Sequence, residues 1–220
     1  MKRLPILCLA TALFLPPTTV SAQHTISLLG GMNLTVIAQR ATDDIVQVGF
    51  HRTTGLNLGL AGSFMLSPPE TRHTLHVQLA ATYSQKGAEL GRPGLDHQLD
   101  YLDLALLADM RFQSIVDGVF LHFLLGPALG WLMSCNGVRA ATDDNPGSST
   151  PCEEGRFRSL DYSIVGGSGL EFAFADRVRF TTSFLYTIGL GYMDHGDEFE
   201  AGTMKNRALT LRAALGFPIG

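Results

Sequence analysis

The sequence predicts an all-β fold, an eight-stranded antiparallel up-and-down transmembrane β-barrel. Three observations carry that prediction. Eight segments alternate bulky apolar residues with small or polar ones at the period of two that marks a strand. The connections between them alternate short and long, the rhythm of outer-membrane barrels. The composition is 45% hydrophobic and only 16% charged, with 24 glycines in 220 residues. That excludes intrinsic disorder, which needs low hydrophobicity and high charge. Scarce charge and frequent glycine exclude a long coiled coil. A net charge of -4 argues against a nucleic-acid partner, whose binding domains carry a basic footprint.

The first residues set the compartment. Lys2 and Arg3 form a basic start, Leu4 to Leu15 an apolar stretch, and Val20-Ser21-Ala22 a small-residue cleavage site. Residues 1–22 are therefore expected to be a secretory signal peptide, and residues 23–220 the barrel domain. The apolar stretch is shorter than the ~20 residues of a spanning helix. Cys8 lies within it. The two other cysteines, Cys135 and Cys152, make an even pair in an exported chain and are expected to form a disulfide. Asn136-Gly137 and Asp143-Asp144-Asn145-Pro146-Gly147 between them are loop chemistry.

The eight segments follow in order. In the first, Ile26, Leu28, Met32, Leu34 and Val36 oppose Ser27, Gly31, Asn33 and Thr35. In the second, Leu56, Leu58, Leu60, Phe64 and Leu66 oppose Asn57, Gly59, Ala61 and Ser63. The third sets Leu75, Val77, Leu79, Ala81 and Tyr83 against His76, Gln78, Thr82 and Ser84. The fourth sets Leu102, Leu104, Leu106, Met110 and Phe112 against Tyr101, Asp103, Asp109 and Arg111. The fifth is apolar on both faces in places, with Val119, Leu121, Phe123, Leu125, Leu129 and Trp131 against Phe120, His122, Gly126, Ala128 and Gly130. In the sixth, Tyr162, Ile164, Leu170, Phe172 and Phe174 oppose Ser163, Gly167, Gly169 and Glu171. The seventh pairs Val178, Phe180, Phe184, Tyr186, Ile188 and Leu190 with Arg179, Thr181, Ser183 and Thr187. The eighth pairs Leu209, Leu211, Ala213, Leu215 and Phe217 with Thr210, Arg212 and Gly216.

Parity alone permits a soluble, lipocalin-like barrel with the bulky rows inside. Eight rows of Leu, Phe and Tyr overfill so narrow an interior. The reverse arrangement, bulk to lipid and small polar groups in the lumen, needs no such crowding. It lets Asp103, Asp109, Arg111, Glu171, Arg179 and Arg212 pair inside as one charge network. On the lipid face each such charge costs ~2–4 kcal/mol at mid-bilayer. Short connections are expected at Ser67 to Glu70, Gln113 to Gly118 and Ala175 to Arg177. Long ones are expected at Ala38 to Thr54, Gln85 to His97, Ser134 to Leu160 and Met193 to Asn206. An even strand count then puts both ends on the periplasmic side. The expected location is the outer membrane of a Gram-negative cell, with lipid and lipopolysaccharide as surroundings.

Tyr83-Ser84-Gln85-Lys86-Gly87-Ala88 ends the third segment, and Tyr101-Leu102-Asp103-Leu104-Ala105-Leu106-Leu107 opens the fourth. This pair resembles the signature of the PorT-like outer-membrane β-barrel family, common in Bacteroidetes-type bacteria. Strand number and loop rhythm extend the resemblance over nearly the whole exported chain. The sequence departs at Asp103, where the family usually has Glu, and at Ala105, where it usually has Pro. The resemblance implies a small outer-membrane barrel. Most such proteins have no assigned activity, and the founding one is linked to protein secretion. A fold likeness does not transfer that role.

Chemistry is sparse. His73 and His76 diverge on a strand and are not expected to bind metal. Gly166-Gly167-Ser168-Gly169 lies within a strand and lacks the following helix that a phosphate loop requires. Asp194, Asp197, Glu198 and Glu200 read as a solvated external loop. Among Ser84, Ser134 and His97 no spacing selects a catalytic triad, so no enzyme activity and no cofactor are expected. Eight strands leave an interior just filled by side chains, which excludes a wide pore. The expected role is structural, envelope-supporting or accessory to secretion. A surface adhesin or receptor working through the external loops is the alternative, and a lipid-A-modifying barrel enzyme a further one.

Overall fold

The computed structural model describes residues 24–39, 53–67, 73–89, 95–139, 148–152, 157–174, 178–191 and 204–219. The proposed signal peptide and the acidic stretch Asp194 to Glu200 lie outside the described residues. The strands are β1 (His24–Gln39), β2 (Thr53–Met65), β3 (His73–Glu89), β4 (Leu95–Gln113), β5 (Val119–Arg139), β6 (Ser148–Pro151), β7 (Leu160–Phe174), β8 (Val178–Gly189) and β9 (Met204–Ile219). Every pairing is antiparallel. The sheet runs β4-β3-β2-β1-β9-β8-β7-β5, and β4 pairs with β5 to close it. Eight long strands thus form a closed barrel, and β6 is an addition. Closure leaves no open ladder edge in the hydrocarbon, where an unpaired backbone group is costly. No described helix is long and apolar enough to cross a membrane.

The faces alternate as strand geometry demands. On β4, Leu102 and Met110 are 41% and 48% exposed, while Tyr101 and Asp109 are 0% and 1% exposed. The same division runs around the ring. Leu28, Leu60, Leu79, Leu125, Phe184 and Leu211 point outward, and Ser27, Asn33, Ser63, Ser84, Ser183 and Thr210 point inward. This is the inverse of a lipocalin-like barrel and matches a wall that lipid wets.

Glycine makes room inside. A Cβ on Gly126 would collide with the Leu106 carbonyl oxygen of the neighbouring strand, and one on Gly169 would collide with His122 Nε2. Between β4 and β5, Gly118 has a φ of 77°, a left-handed conformation that glycine adopts without steric cost.

Three expectations need correction at the end of the barrel away from its termini. The fourth strand begins at Leu95, not at Tyr101, and the third runs on to Glu89. Only residues 90–94 separate them, so the supposed long connection from Gln85 to His97 is largely strand. Cys135 lies within the fifth strand, which continues to Arg139. The Ser134 to Leu160 connection contains β6, whose Pro151, Thr150, Ser149 and Ser148 pair with Asn136, Gly137, Val138 and Arg139. The local residues Asn136 and Gly137 read as turn chemistry. Pairing with β4 on one side and β6 on the other overrides that preference.

A fourth correction concerns the lumen. It is not lined by small and polar groups alone. Leu107, Leu124, Val165 and Leu185 form one buried apolar cluster, and Leu29, Ala61 and Ala80 another; Ala105 packs against both. Strand parity puts Leu29, Leu107, Leu124, Val165 and Leu185 inside as firmly as their polar neighbours. They form a layer across the middle of the barrel.

Candidate functional site

The apolar layer divides the lumen into two polar clusters. Along β4 from its Gln113 end the inward residues are Arg111, Asp109, Leu107, Ala105 and Asp103. On β8 they are Arg179, Thr181, Ser183, Leu185 and Thr187. Polar groups therefore gather below and above a band of hydrocarbon.

The lower cluster joins β2, β4, β7 and β8. Arg111 donates from Nε to Asp109 Oδ2 at 2.9 Å and from Nη2 to Ser63 Oγ at 3.2 Å. Its Nη1 lies 2.7 Å from Glu171 Oε2. Arg179 Nη1 donates to the other Glu171 oxygen at 2.9 Å. Four residues of the expected network, Asp109, Arg111, Glu171 and Arg179, thus form one continuous chain. Such charge-assisted bonds offset much of the desolvation each charge suffers.

The structure does not bring the other two into that chain. Asp103 belongs to the upper cluster, where Lys86 Nζ donates to it at 3.0 Å and stands 4.6 Å from the centre of the Tyr101 ring. Asp161 is 4.0 Å from Lys86 and accepts from Asn206 at 3.1 Å. Arg212 stands apart, without an ion pair to any described residue. Axial distance separates Asp103, which shares a face of β4 with Asp109 but lies on the other side of Leu107; Arg212 lines the lower cavity with Asp109 and Glu171 without an ion pair to either.

The sequence motif shared between β3 and β4 converges here. Tyr83 and Leu102 face outward, while Ser84, Lys86, Tyr101 and Asp103 face inward. Ser84 Oγ accepts from Asn33, whose Oδ1 accepts from Thr210, linking β3, β1 and β9. Gln85 reaches the backbone of Leu56 through Oε1. Gly87 donates its N–H to Thr35 Oγ1. Ala88 pairs with His97 in the ladder.

Sequence reasoning missed Lys86, Asp161, Asn206 and His122 as partners. Strand parity was the available signal, since each falls on the lumen row. It also missed a serine–histidine–aspartate line. His122 Nδ1 is 3.3 Å from Asp109 Oδ1, and His122 Nε2 is 3.5 Å from Ser183 Oγ. These residues sit on β5, β4 and β8, so no sequence spacing selects them. Asp109 and Ser183 are 1% and 3% exposed, and the adjoining cavity is about 20 Å³. That space admits water and no acyl substrate. His73 and His76 fall on opposite faces, one exposed and one buried. Among the described residues no three His, Cys, Asp or Glu are placed to hold a metal ion.

The rim opposite the chain termini is the second built feature. A disulfide joins Cys135 and Cys152, with Cα atoms 5.4 Å apart. Beneath it Leu99, Tyr101 and Phe157 form a buried cluster against which Leu132 and both cysteines pack. A register shift between Asp100 and Tyr101 turns the upper part of the β4–β5 pair. Asp100 there accepts from Ser134 at 2.7 Å. Trp131, 59% exposed, marks where β5 parts from β7. An indole there suits a lipid–water interface.

A family model described as an outer membrane protein β-barrel domain matches residues 21–194. No curated protein sequence matches the chain. Among solved structures, Neisserial surface protein A is similar at 10% identity and a TM-score of 0.52, over 88% of this chain and 97% of that one. Ail, the attachment invasion locus protein of Yersinia pestis, is 17% identical with a TM-score of 0.44, over 89% and 99% of the two chains. The outer membrane enzyme PagL is 15% identical with a TM-score of 0.43, over 89% and 99%. Identities this low bear on the fold alone.

Proposed function

The chain belongs to the outer membrane protein β-barrel domain family, and from that premise we propose that it is a non-conducting, non-enzymatic barrel that supports the envelope structurally. It is a small eight-stranded protein of the outer membrane. The observation that carries the proposal is the filled lumen. The layer of Leu29, Leu107, Leu124, Val165 and Leu185 lies between two ion-paired clusters, and on the β9 side the buried Arg212 fills the gap beside it. An ion crossing it has to shed its water against hydrocarbon. Surrounding lipid and lipopolysaccharide are the partners on this reading, with an accessory role in secretion as its narrower form. PorT-like membership belongs to the same reading. Its support is that Lys86, Tyr101 and Asp103 of the shared motif meet in one cluster, with Ser84 lining the same cavity as Lys86 and Asp103.

Planar-bilayer recording tests the closed lumen. Purified protein is expected to give no steady conductance steps, and ohmic single-channel steps overturn the proposal. A deletion strain is expected to become sensitive to detergents and large antibiotics. Unchanged sensitivity with a specific loss of secreted proteins moves the role to secretion.

A second reading, surface binding through the external end, is favoured by the rim. The β4–β5 pair continues past the barrel wall, β6 pairs with it and the Cys135–Cys152 bond ties the two. A braced rim loses little freedom when a partner binds to it. Adherence of non-adherent cells expressing the protein, lost when the rim is removed, distinguishes this reading.

A further inference from the structure

One lumen cation is left out of the ion-pair chains. Arg212 on β9 is 6% exposed, and its side chain makes neither an ion pair nor a hydrogen bond with any described residue. Its Nε is buried without a partner. Lys86, by contrast, is held by Asp103 and Asp161, and Arg111 by Asp109 and Glu171. Asp109 attracts Arg212 across the lower cavity without touching it, and a guanidinium removed from water with no ion-pair or hydrogen-bond contact is strongly disfavoured, because the low dielectric magnifies its lost solvation.

Arg212 also borders two lumen cavities. The upper is about 50 Å³ and the lower about 20 Å³. The charged lining of the upper one is Arg212 and Lys86 against Asp103. Around the lower one stand Arg111, Arg179 and Arg212 against Asp109 and Glu171. With Asp161 counted beside Lys86, these four cations face four carboxylates, and Arg212, common to both linings, is the cation that contacts none of them. Thr82, Thr187 and Thr210 add hydroxyl groups to the upper cavity.

We propose that the upper lumen cavity holds one small monovalent anion of chloride size, bound to the Arg212 guanidinium. A water occupies roughly 10–15 Å³ on this scale of cavity volume, so the space takes a small ion with a water or two. A phosphate ester or a lipid headgroup does not fit. Water alone solvates Arg212 without neutralising it, and an anion does both. The carboxylates that compete, Asp103 and Asp161, are turned toward Lys86. The site supplies the direct contact that Arg212 lacks among the lumen carboxylates, and it is independent of the envelope role.

The test uses the purified barrel in detergent at constant ionic strength, with chloride, bromide or gluconate as the anion. Gluconate is too large for the cavity. Binding to the folded state alone raises the unfolding midpoint by mass action. The expected rise is about 2–4 °C in chloride and bromide over gluconate, saturating with anion concentration. Arg212→Gln is expected to abolish the difference. Crystals grown in bromide are expected to show anomalous density beside Arg212, a measurement that holds even where Arg212→Gln does not assemble. Coincident midpoints in the three salts overturn the site. So does an anion-dependent shift that survives in Arg212→Gln, or bromide found on the outer surface alone.

Discussion

Arg111 Nη1 lies 2.7 Å from Glu171 Oε2, which ties β4 to β7 across the lumen although β5 stands between them in the sheet. The ladder holds each strand to its neighbours, whereas this contact spans two steps of the ring. Glu171 accepts from Arg179 with its other oxygen, so one carboxylate braces three strands.

Glu171→Gln removes the charge on which both guanidinium groups converge. Breaking a buried pair costs ~3–5 kcal/mol. Urea titration of the barrel in lipid vesicles, followed by its mobility on unheated gels, should show destabilisation of about that size. Loss below about 1 kcal/mol would mean that lumen water replaces the carboxylate.

Leu104 and Phe184 face outward at 46% and 52% exposure. Leu104→Arg and Phe184→Arg each place a charge in lipid, at a cost of about 2–4 kcal/mol near mid-bilayer. Gln78→Glu, on the lumen wall beside Arg111, Arg179 and Arg212, should assemble normally. Folding yield into vesicles ranks the three variants. The reverse ranking would put the bulky face inside.

Gly169→Val forces atoms into the space that His122 and the Thr182 carbonyl occupy. Overpacking of this kind costs typically ~1–3 kcal/mol. Gly30→Val is the control, since a Cβ there meets only Leu58 at 3.7 Å. A midpoint shift for Gly169→Val well beyond that for Gly30→Val is the expected result.

Reduction of the Cys135–Cys152 bond should leave the barrel intact, because its closure runs through β1–β9 and β4–β5 ladders that do not involve β6. The bond closes a separation of 17 residues, for which the chain-entropy model gives ~3 kcal/mol. That energy orders the rim. Limited proteolysis should cut between Asn136 and Pro151 only after reduction, while gel mobility before and after boiling stays unchanged.

The period-two rows settled the strand number and the facing of each strand, because a strand buries alternate residues wherever one side meets lipid. Asp109, Arg111, Glu171 and Arg179 were legible as inward for that reason. Even the apolar layer was written in parity, in Leu107, Leu124 and Val165. It was hidden by the expectation that a lumen is polar. At the rim the local chemistry pointed the wrong way. Asn136-Gly137 reads as a turn, and strand pairing on both sides draws it into β5.

Sequence alone therefore determined which residues face lipid and which face the lumen, since that depends on neighbours along one chain segment. Tertiary structure decided who meets whom. Lys86 rather than an arginine takes Asp103, His122 lies between Asp109 and Ser183, and Arg212 is left to the cavity. These outcomes depend on the relative register of strands, which sets the height of each side chain along the barrel axis. Pairing such as Asp103↔Thr82 and Leu124↔Asp109 fixes that height, and closure of the ring couples all eight registers at once.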